Sequence, residues 1–301
     1  MKRFITTVLS LLVCWYVIDR VGALLMWQVN QHTHDMTSPK IRKIVGGVKD
    51  DVIIMGTSRC NSHYVSSIIS DTIGFSVYNA GIDGSDNIFS QYIALCYLLK
   101  YHQPRLICLE VQNSFVEQET EKFSTTSFFA PYFGKNQQAD SVFMDAGTYW
   151  LYRICHLYRY NSKAIPNITG LLVDRWENEN HGYIPSPQPS FHPDCLRRWA
   201  DEVVIDNQKI EYLQRFVSHC KTRGVKLIFV ISPAYSIVDS KQYAVLRNIA
   251  RQNHLTFLDY HTQGLYLDHP DYFRDDFHLW DKGSRLYSSI FASDLKAVLD
   301  N

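Results

Sequence analysis

The chain has 301 residues, 46% of them hydrophobic, and its 30 Lys+Arg balance its 30 Asp+Glu. That is enough apolar material for one large α/β domain with its own core. A formal net charge of zero lacks the basic excess of a nucleic-acid binder, so no nucleic-acid partner is expected.

The N-terminus carries a targeting pattern. Lys2-Arg3 precede an apolar run from Phe4 to Ile18, Asp19-Arg20 interrupt it, and Val21 to Trp27 resume it. Taken whole, Phe4–Trp27 exceeds the about 20 residues that a transmembrane helix needs. Near the outer third of the bilayer the two charges can snorkel, and Trp27 suits the interface. Residues 1–28 therefore read as an uncleaved signal anchor in the cytoplasmic membrane. Lys2-Arg3 would face the cytoplasm and the rest of the chain would be extracytoplasmic. Two alternatives stand beside it. One is a signal peptide cleaved near Val21-Gly22-Ala23, although apolar residues continue beyond. The other is a buried soluble helix, against which the polar stretch Asn30–Lys43 weighs. Residues 29–48 read as a linker or short stalk, and 49–301 as the folded domain.

Asp51-Val-Ile-Ile-Met55 is a short apolar run of buried-strand type, with a helix expected over Ser62–Ser70. Phe75–Tyr78 is a second strand. Asp86 is a candidate cap for a helix over Asn87–Tyr101. Arg105–Val111 is a third strand. Residues 114–200 break the rhythm with Phe128–Phe133, Tyr149–Tyr152 and a proline cluster from Pro185 to Pro193, and read as an insertion. A helix over Asp201–Arg223 with Gly224 as C-cap leads to a strand at Val225–Ile231. A helix over Ser240–Asn253, a short strand at Thr256–Asp259 and a last helix over Lys282–Leu299 complete the chain. Apolar strands alternating with helices imply a parallel sheet covered on both faces, a three-layer α/β/α fold. Ligands bind such sheets at the carboxyl ends of the strands.

Those ends hold the candidate chemistry. Gly56-Thr57-Ser58-Arg59 follows the first strand, where a helix N-terminus favours developing negative charge; an ordinary turn with a cap is the plain alternative. Arg59 can bind an anionic group or pair with an acid at the sheet edge. Asn79-Ala-Gly81-Ile-Asp-Gly84 follows the second strand, and Gln112-Asn113-Ser114 the third. Ser232-Pro233 follows the fourth strand, where it can line a pocket. Asp275 and His278, three residues apart before the last helix, can meet through local geometry and leave the second imidazole nitrogen free to deprotonate a serine. A surface turn or a pair of metal ligands are the competing readings.

Taken in this order, the pieces resemble the SGNH/GDSL hydrolases. Ser58 matches the nucleophile block, with Thr57 where the family has Asp. Asn79 and Gly84 match the second block, Asn113 the third in degenerate form, and Asp275-x-x-His278 with Leu279 and Gly283 the last. The resemblance covers Asp51 to Leu299 apart from the insertion, and implies the flavodoxin-like SGNH fold. It also implies a Ser58–His278–Asp275 triad, with oxyanion donors from the Ser58 N–H, the Gly84 N–H and the Asn113 amide, and no metal or cofactor. The anchor and the insertion are similar in layout to extracytoplasmic SGNH proteins that work with acyl-transferring membrane enzymes. The expected activity is esterase or O-acyltransferase chemistry, with an acylated glycan or other ester as substrate and a membrane acyltransferase as partner. The alternative is an SGNH-fold protein without catalysis that binds a glycan or a membrane partner. A nucleotide-binding protein is disfavoured, since no Gly-rich phosphate loop follows the first strand.

Other residues carry plainer expectations. His32 and His34 fit a solvated stalk better than a metal site. His261 and His269 are expected at the surface. The aromatic insertion is expected to fill a seam against the sheet, with a sugar-stacking lid as the alternative. Of seven cysteines, Cys96 and Cys108 read as buried, and Cys155 and Cys195 as a pair that can form a disulfide.

Overall fold

The computed structural model describes residues 1–173, 180–189, 197–198, 204–238 and 243–300. Five short strands form one sheet: β1 (Val52–Met55), β2 (Val77–Asn79), β3 (Leu106–Glu110), β4 (Lys226–Ile231) and β5 (Thr256–Asp259). Their order is β2-β1-β3-β4-β5 and every pairing is parallel. This is the 2-1-3-4-5 order of flavodoxin-like sheets. Val52 lies opposite both Val77 and Leu106, which aligns the carboxyl ends of the three strands. β1 and β3 are buried along their whole length, which is why they read as unbroken apolar runs.

The helices, in chain order, are α1 (Lys2–His32), α2 (Ser38–Gly46), α3 (Ser58–His63), α4 (Ser66–Ile73) and α5 (Ile88–Tyr101). They continue with α6 (Gln137–Asp145), α7 (Tyr149–Ile154), α8 (Ala164–Thr169), α9 (Asn207–Thr222), α10 (Ala244–Gln252) and α11 (Asp281–Asp300). Strand side chains alternate between the two faces. Ile54, Cys108 and Ile228 pack with Ile69 of α4 and with Tyr287 and Phe291 of α11. Ile53, Leu109 and Phe229 pack on the other face with α2, α5, α9 and α10. The three layers follow from that alternation.

Several boundaries differ from the sequence reading, each for a local reason. α5 is capped by Asn87, whose side chain accepts from the Ser90 N–H at 3.2 Å, rather than by Asp86. α9 starts at Asn207, because Asp206 accepts from the N–H groups of Gln208 and Lys209. The expected helix over Ser62–Ser70 is two helices, α3 and α4, broken where Tyr64 and Val65 adopt extended backbone. Gly224, at φ +66°, does end α9 as expected. The Asp201 start, the Ser240 start and the Cys195 partner of Cys155 lie outside the described residues.

The linker reading of residues 29–48 also changes. α1 runs on to His32, and α2 occupies Ser38–Gly46, with Ile41, Ile44 and Val45 in the main core beside α5. The Pro39 that suggested a stalk sits in the first turn of α2, where its missing N–H is not needed. The insertion packs on the same face. Phe129, Tyr132, Phe133, Phe143 and Tyr152 join that core, so these aromatics fill the seam.

α1 has the length and composition to cross a membrane, an 18-residue stretch of it reaching a mean hydropathy of 1.8. Of its two interrupting charges, Asp19 finds its partners inside the protein. Asp19 is buried and accepts from the N–H groups of His156 and Leu157, at 2.9 Å each, capping the helical turn that follows. Arg20 reaches the carbonyl of Ile154 at 3.4 Å.

If α2 is part of the core, Ile44→Ala should lower the unfolding free energy of the detergent-solubilised chain by about 2–5 kcal/mol in a urea titration. A loose linker would show no change.

Candidate active site

β1 delivers its chain to Gly56, which adopts φ +156°, and then to Thr57 and Ser58. Ser58 is the first residue of α3, so its N–H has no partner within the helix. Ser58 Oγ lies 2.8 Å from His278 Nε2. His278 Nδ1 lies 2.9 and 3.0 Å from the two carboxylate oxygens of Asp275. Asp275 accepts only, so His278 Nδ1 donates and Nε2 is free to accept the Ser58 hydroxyl proton. The Asp275 carboxylate also accepts from the N–H groups of Phe277 and His278, at 2.9 Å each. Burial raises its pKa, but the bond to His278, that group's charge and the two N–H groups together hold it below the ordinary carboxylate range. Asp275 thus stays ionised and orients the ring.

The remaining candidates surround this line. Asn113 opens a 3-10 turn after β3 and lines the same cleft as Ser58 and His278. Gly84 sits in the loop after β2 at φ +71°, exposed, between Asp83 and Asp86, which line two different clefts. That loop is pressed onto α3. A Cβ on Gly81 would stand 2.4 Å from the Asn61 nitrogen, so the approach requires glycine. Asn79 fastens it, donating to the carbonyls of Cys60 at 2.7 Å and Tyr64 at 3.0 Å and accepting from the Gly81 N–H. Thr57 donates to Gln112 at 3.2 Å and so joins the first loop to the third.

Two clefts meet at Ser58 and His278. One, of about 340 Å³, is lined by Arg59, Asp86, Asn113, Glu117, Glu119, Tyr243 and His261. The other, of about 270 Å³, is lined by Asn61, Asp83, Ile184, Pro185, Arg274 and Asp275. In the first, burial raises the pKa of Asp86, and Asp83 and Glu119 add to it. The rim is acidic, which favours hydroxyl groups over phosphate or carboxylate ligands.

Sequence reasoning missed what lies behind the line. Glu110, at the end of β3, is wholly buried and accepts from the Ser232 N–H at 3.1 Å, from Ser232 Oγ at 2.7 Å and from the Tyr64 hydroxyl. Arg59 pairs with it at 3.3 Å and also donates to the Ser232 carbonyl. Arg59 therefore takes the acid-pairing role, with a central strand rather than the sheet edge. Burial raises the Glu110 pKa, opposed by Arg59 and the hydroxyl donors. His63 Nε2 accepts from the Leu279 N–H at 2.9 Å, so its Nδ1 donates to Ser232 Oγ at 2.8 Å. Burial, then the charges of Arg59 and His278, lowers the His63 pKa well below the usual histidine range and keeps it neutral. A glutamate inside an apolar strand and a histidine five residues after a candidate nucleophile were the available signals.

His261 corrects another expectation. It is buried, accepts from the Tyr243 hydroxyl at 2.8 Å and donates to the Ser236 carbonyl at 3.1 Å. Burial lowers its pKa to about 3, so it is a neutral wall of the cleft. His269 is exposed. Ser232 belongs to the Glu110 network rather than to the cleft lining. Among the described residues no group of three or more His, Cys, Asp or Glu gathers as for a metal ion.

Beneath α3, Lys40 is buried and donates to Asn61. Burial lowers its pKa from 10.5 to about 7. The unfolded chain then holds a proton that the folded one lacks between those values. Stability should rise with pH from about 7 to 10, by at most about 1.4 kcal/mol per pH unit. Lys40→Met should remove that slope in urea titrations across this window.

The chain matches no family model and no curated protein. Among solved structures it is similar to a "putative acylhydrolase" from Bacteroides fragilis NCTC 9343, at 14% identity and a TM-score of 0.37. The match covers 81% of this chain and 87% of that one.

Proposed function

We propose that the protein is a serine-dependent esterase or O-acyltransferase of the SGNH type. The observation that carries this is the unbroken line from Ser58 Oγ through His278 to Asp275, with 2.8 and 2.9 Å links, at the carboxyl end of a parallel sheet. In the first step His278 Nε2 takes the Ser58 proton as Oγ bonds to the ester carbonyl carbon. The ester C–O bond then breaks and His278 returns the proton to the leaving alcohol. In the second step His278 deprotonates water or an acceptor hydroxyl as its oxygen bonds to the acyl carbon, then returns that proton to Ser58 Oγ as the acyl–Oγ bond breaks. The Ser58 and Gly84 N–H groups and the Asn113 amide are the oxyanion donors of this reading, each worth about 10²–10³ in rate.

Two clefts sharing Ser58 and His278 favour transfer, since an acyl donor and an acceptor can approach the nucleophile from different sides. The acidic rim of the larger cleft suits a polyhydroxyl acceptor, and a glycan O-acyl group is the proposed substrate. In this reading α1 anchors the chain in the cytoplasmic membrane with its domain on the outer side. A membrane acyltransferase there supplies the acyl group.

A fluorophosphonate probe should label the wild type and leave Ser58→Ala unlabelled. Failure to label the folded wild type would overturn the enzyme reading in favour of a glycan- or partner-binding protein. Asp275→Asn should lower kcat for a p-nitrophenyl ester about 10³–10⁴-fold with KM little changed, because the ring loses its productive tautomer.

A further inference from the structure

A third cleft, sharing no lining residue with the two at Ser58, lies where α1 meets the insertion. Every residue of α1 up to Ile18 is exposed, and burial begins at Asp19. Phe4–Ile18 supplies only about 22 Å of helix at 1.5 Å per residue. A bilayer hydrocarbon core is about 30 Å thick. A spanning α1 therefore draws roughly five further residues toward the outer leaflet, and with them the insertion packed on Asp19, Arg20 and Gly22.

The cleft at that level has a volume of about 320 Å³. Leu24, Trp27 and Phe133 give it apolar walls, and Arg20, Lys135 and Arg159 give it positive charge. Of the acids that act on Arg159, Asp19 is already engaged by two backbone N–H groups and Asp140 by the Gly134 N–H. Nη1 of Arg20 is buried, lies 3.4 Å from Asp19, and donates no hydrogen bond to any described residue. Lys135 Nζ is held 3.8 Å above the Trp27 ring, and the Arg159 guanidinium 5.0 Å above the Phe133 ring. His156 also lines the cleft. Burial, then the charges of Arg159 and Arg20, lowers its pKa.

We propose that this cleft binds the phosphate headgroup of an anionic membrane lipid, with the three cations on the phosphate and the acyl chains leaving along Leu24. Cations near a membrane surface each favour anionic lipid by about 1 kcal/mol, or roughly fivefold. The proposal rests on α1 spanning the membrane and is independent of the chemistry at Ser58.

The test uses the full chain in a non-ionic detergent and native mass spectrometry, with phosphatidylglycerol, phosphatidylcholine of the same chains, and inorganic phosphate as probes. One phosphatidylglycerol per chain should be retained, with about tenfold or greater preference over phosphatidylcholine. Lys135→Gln combined with Arg159→Gln should reduce that retention about tenfold or more, with the melting temperature as the check on folding. Arg159 also donates to the Tyr152 carbonyl at 2.8 Å. Should the pair not fold, Lys135→Glu alone should abolish the preference. Equal retention of the two lipids, retention unchanged in the variants, or displacement by millimolar inorganic phosphate would each overturn the proposal. Alkaline carbonate extraction of membranes tests the span separately, since a peripheral chain is released whatever the cleft binds.

Discussion

The buried carboxylate of Glu110 is the point from which the site is organised. A charge in a wholly buried position is tolerated only when paired and hydrogen-bonded. Glu110 meets that demand by drawing in Arg59 and Tyr64 from the segment after β1 and Ser232 from the end of β4. Three strand ends are thereby tied to one acid. Removing Arg59 would leave the carboxylate without its counter-ion, and removing Tyr64 or Ser232 would leave it a hydrogen bond short, so the demand that makes the position costly also makes the arrangement specific.

The same network reaches the other half of the site. His63 accepts the Leu279 N–H with one nitrogen and donates to Ser232 with the other. Leu279 follows His278, and the two imidazole rings stand 6.3 Å apart, edge to face. The backbone carrying His278 is therefore registered against the strand ends that carry Ser58, across 220 residues of sequence. Preorganisation of this kind holds a short hydrogen bond between groups distant in sequence, with the ordering entropy met on folding.

The N-terminal helix is part of the same body rather than a tether. Asp19 caps a turn of the insertion, Asn30 bonds to Tyr132 and Asn167, and α2 adds Ile41 and Ile44 to the core under α5. The described part of the insertion packs on α1 and α5, where Phe129, Tyr132, Phe133, Phe143 and Tyr152 are buried. The candidate cleft at Ser58 is consequently held at a set height relative to α1.

Sequence by itself determined the parallel α/β layers, because buried strands must be apolar on both faces and helices must show their period. It also brought Ser58, Asp275 and His278 into view, since Asp and His three residues apart meet through local backbone, and strand ends follow directly from strand positions. Tertiary structure alone decided the rest. Whether Glu110 is a solvent-facing strand end or a buried hub depends on what covers it. Whether His261 is a surface group or a neutral wall depends on Tyr243 and Ser236, which reach it from elsewhere in the chain. Pro39 and Asp19 read as signs of a stalk and of a snorkelling charge, because composition reports polarity but not partners. Burial and pairing are properties of contacts between distant segments, and no local pattern encodes them.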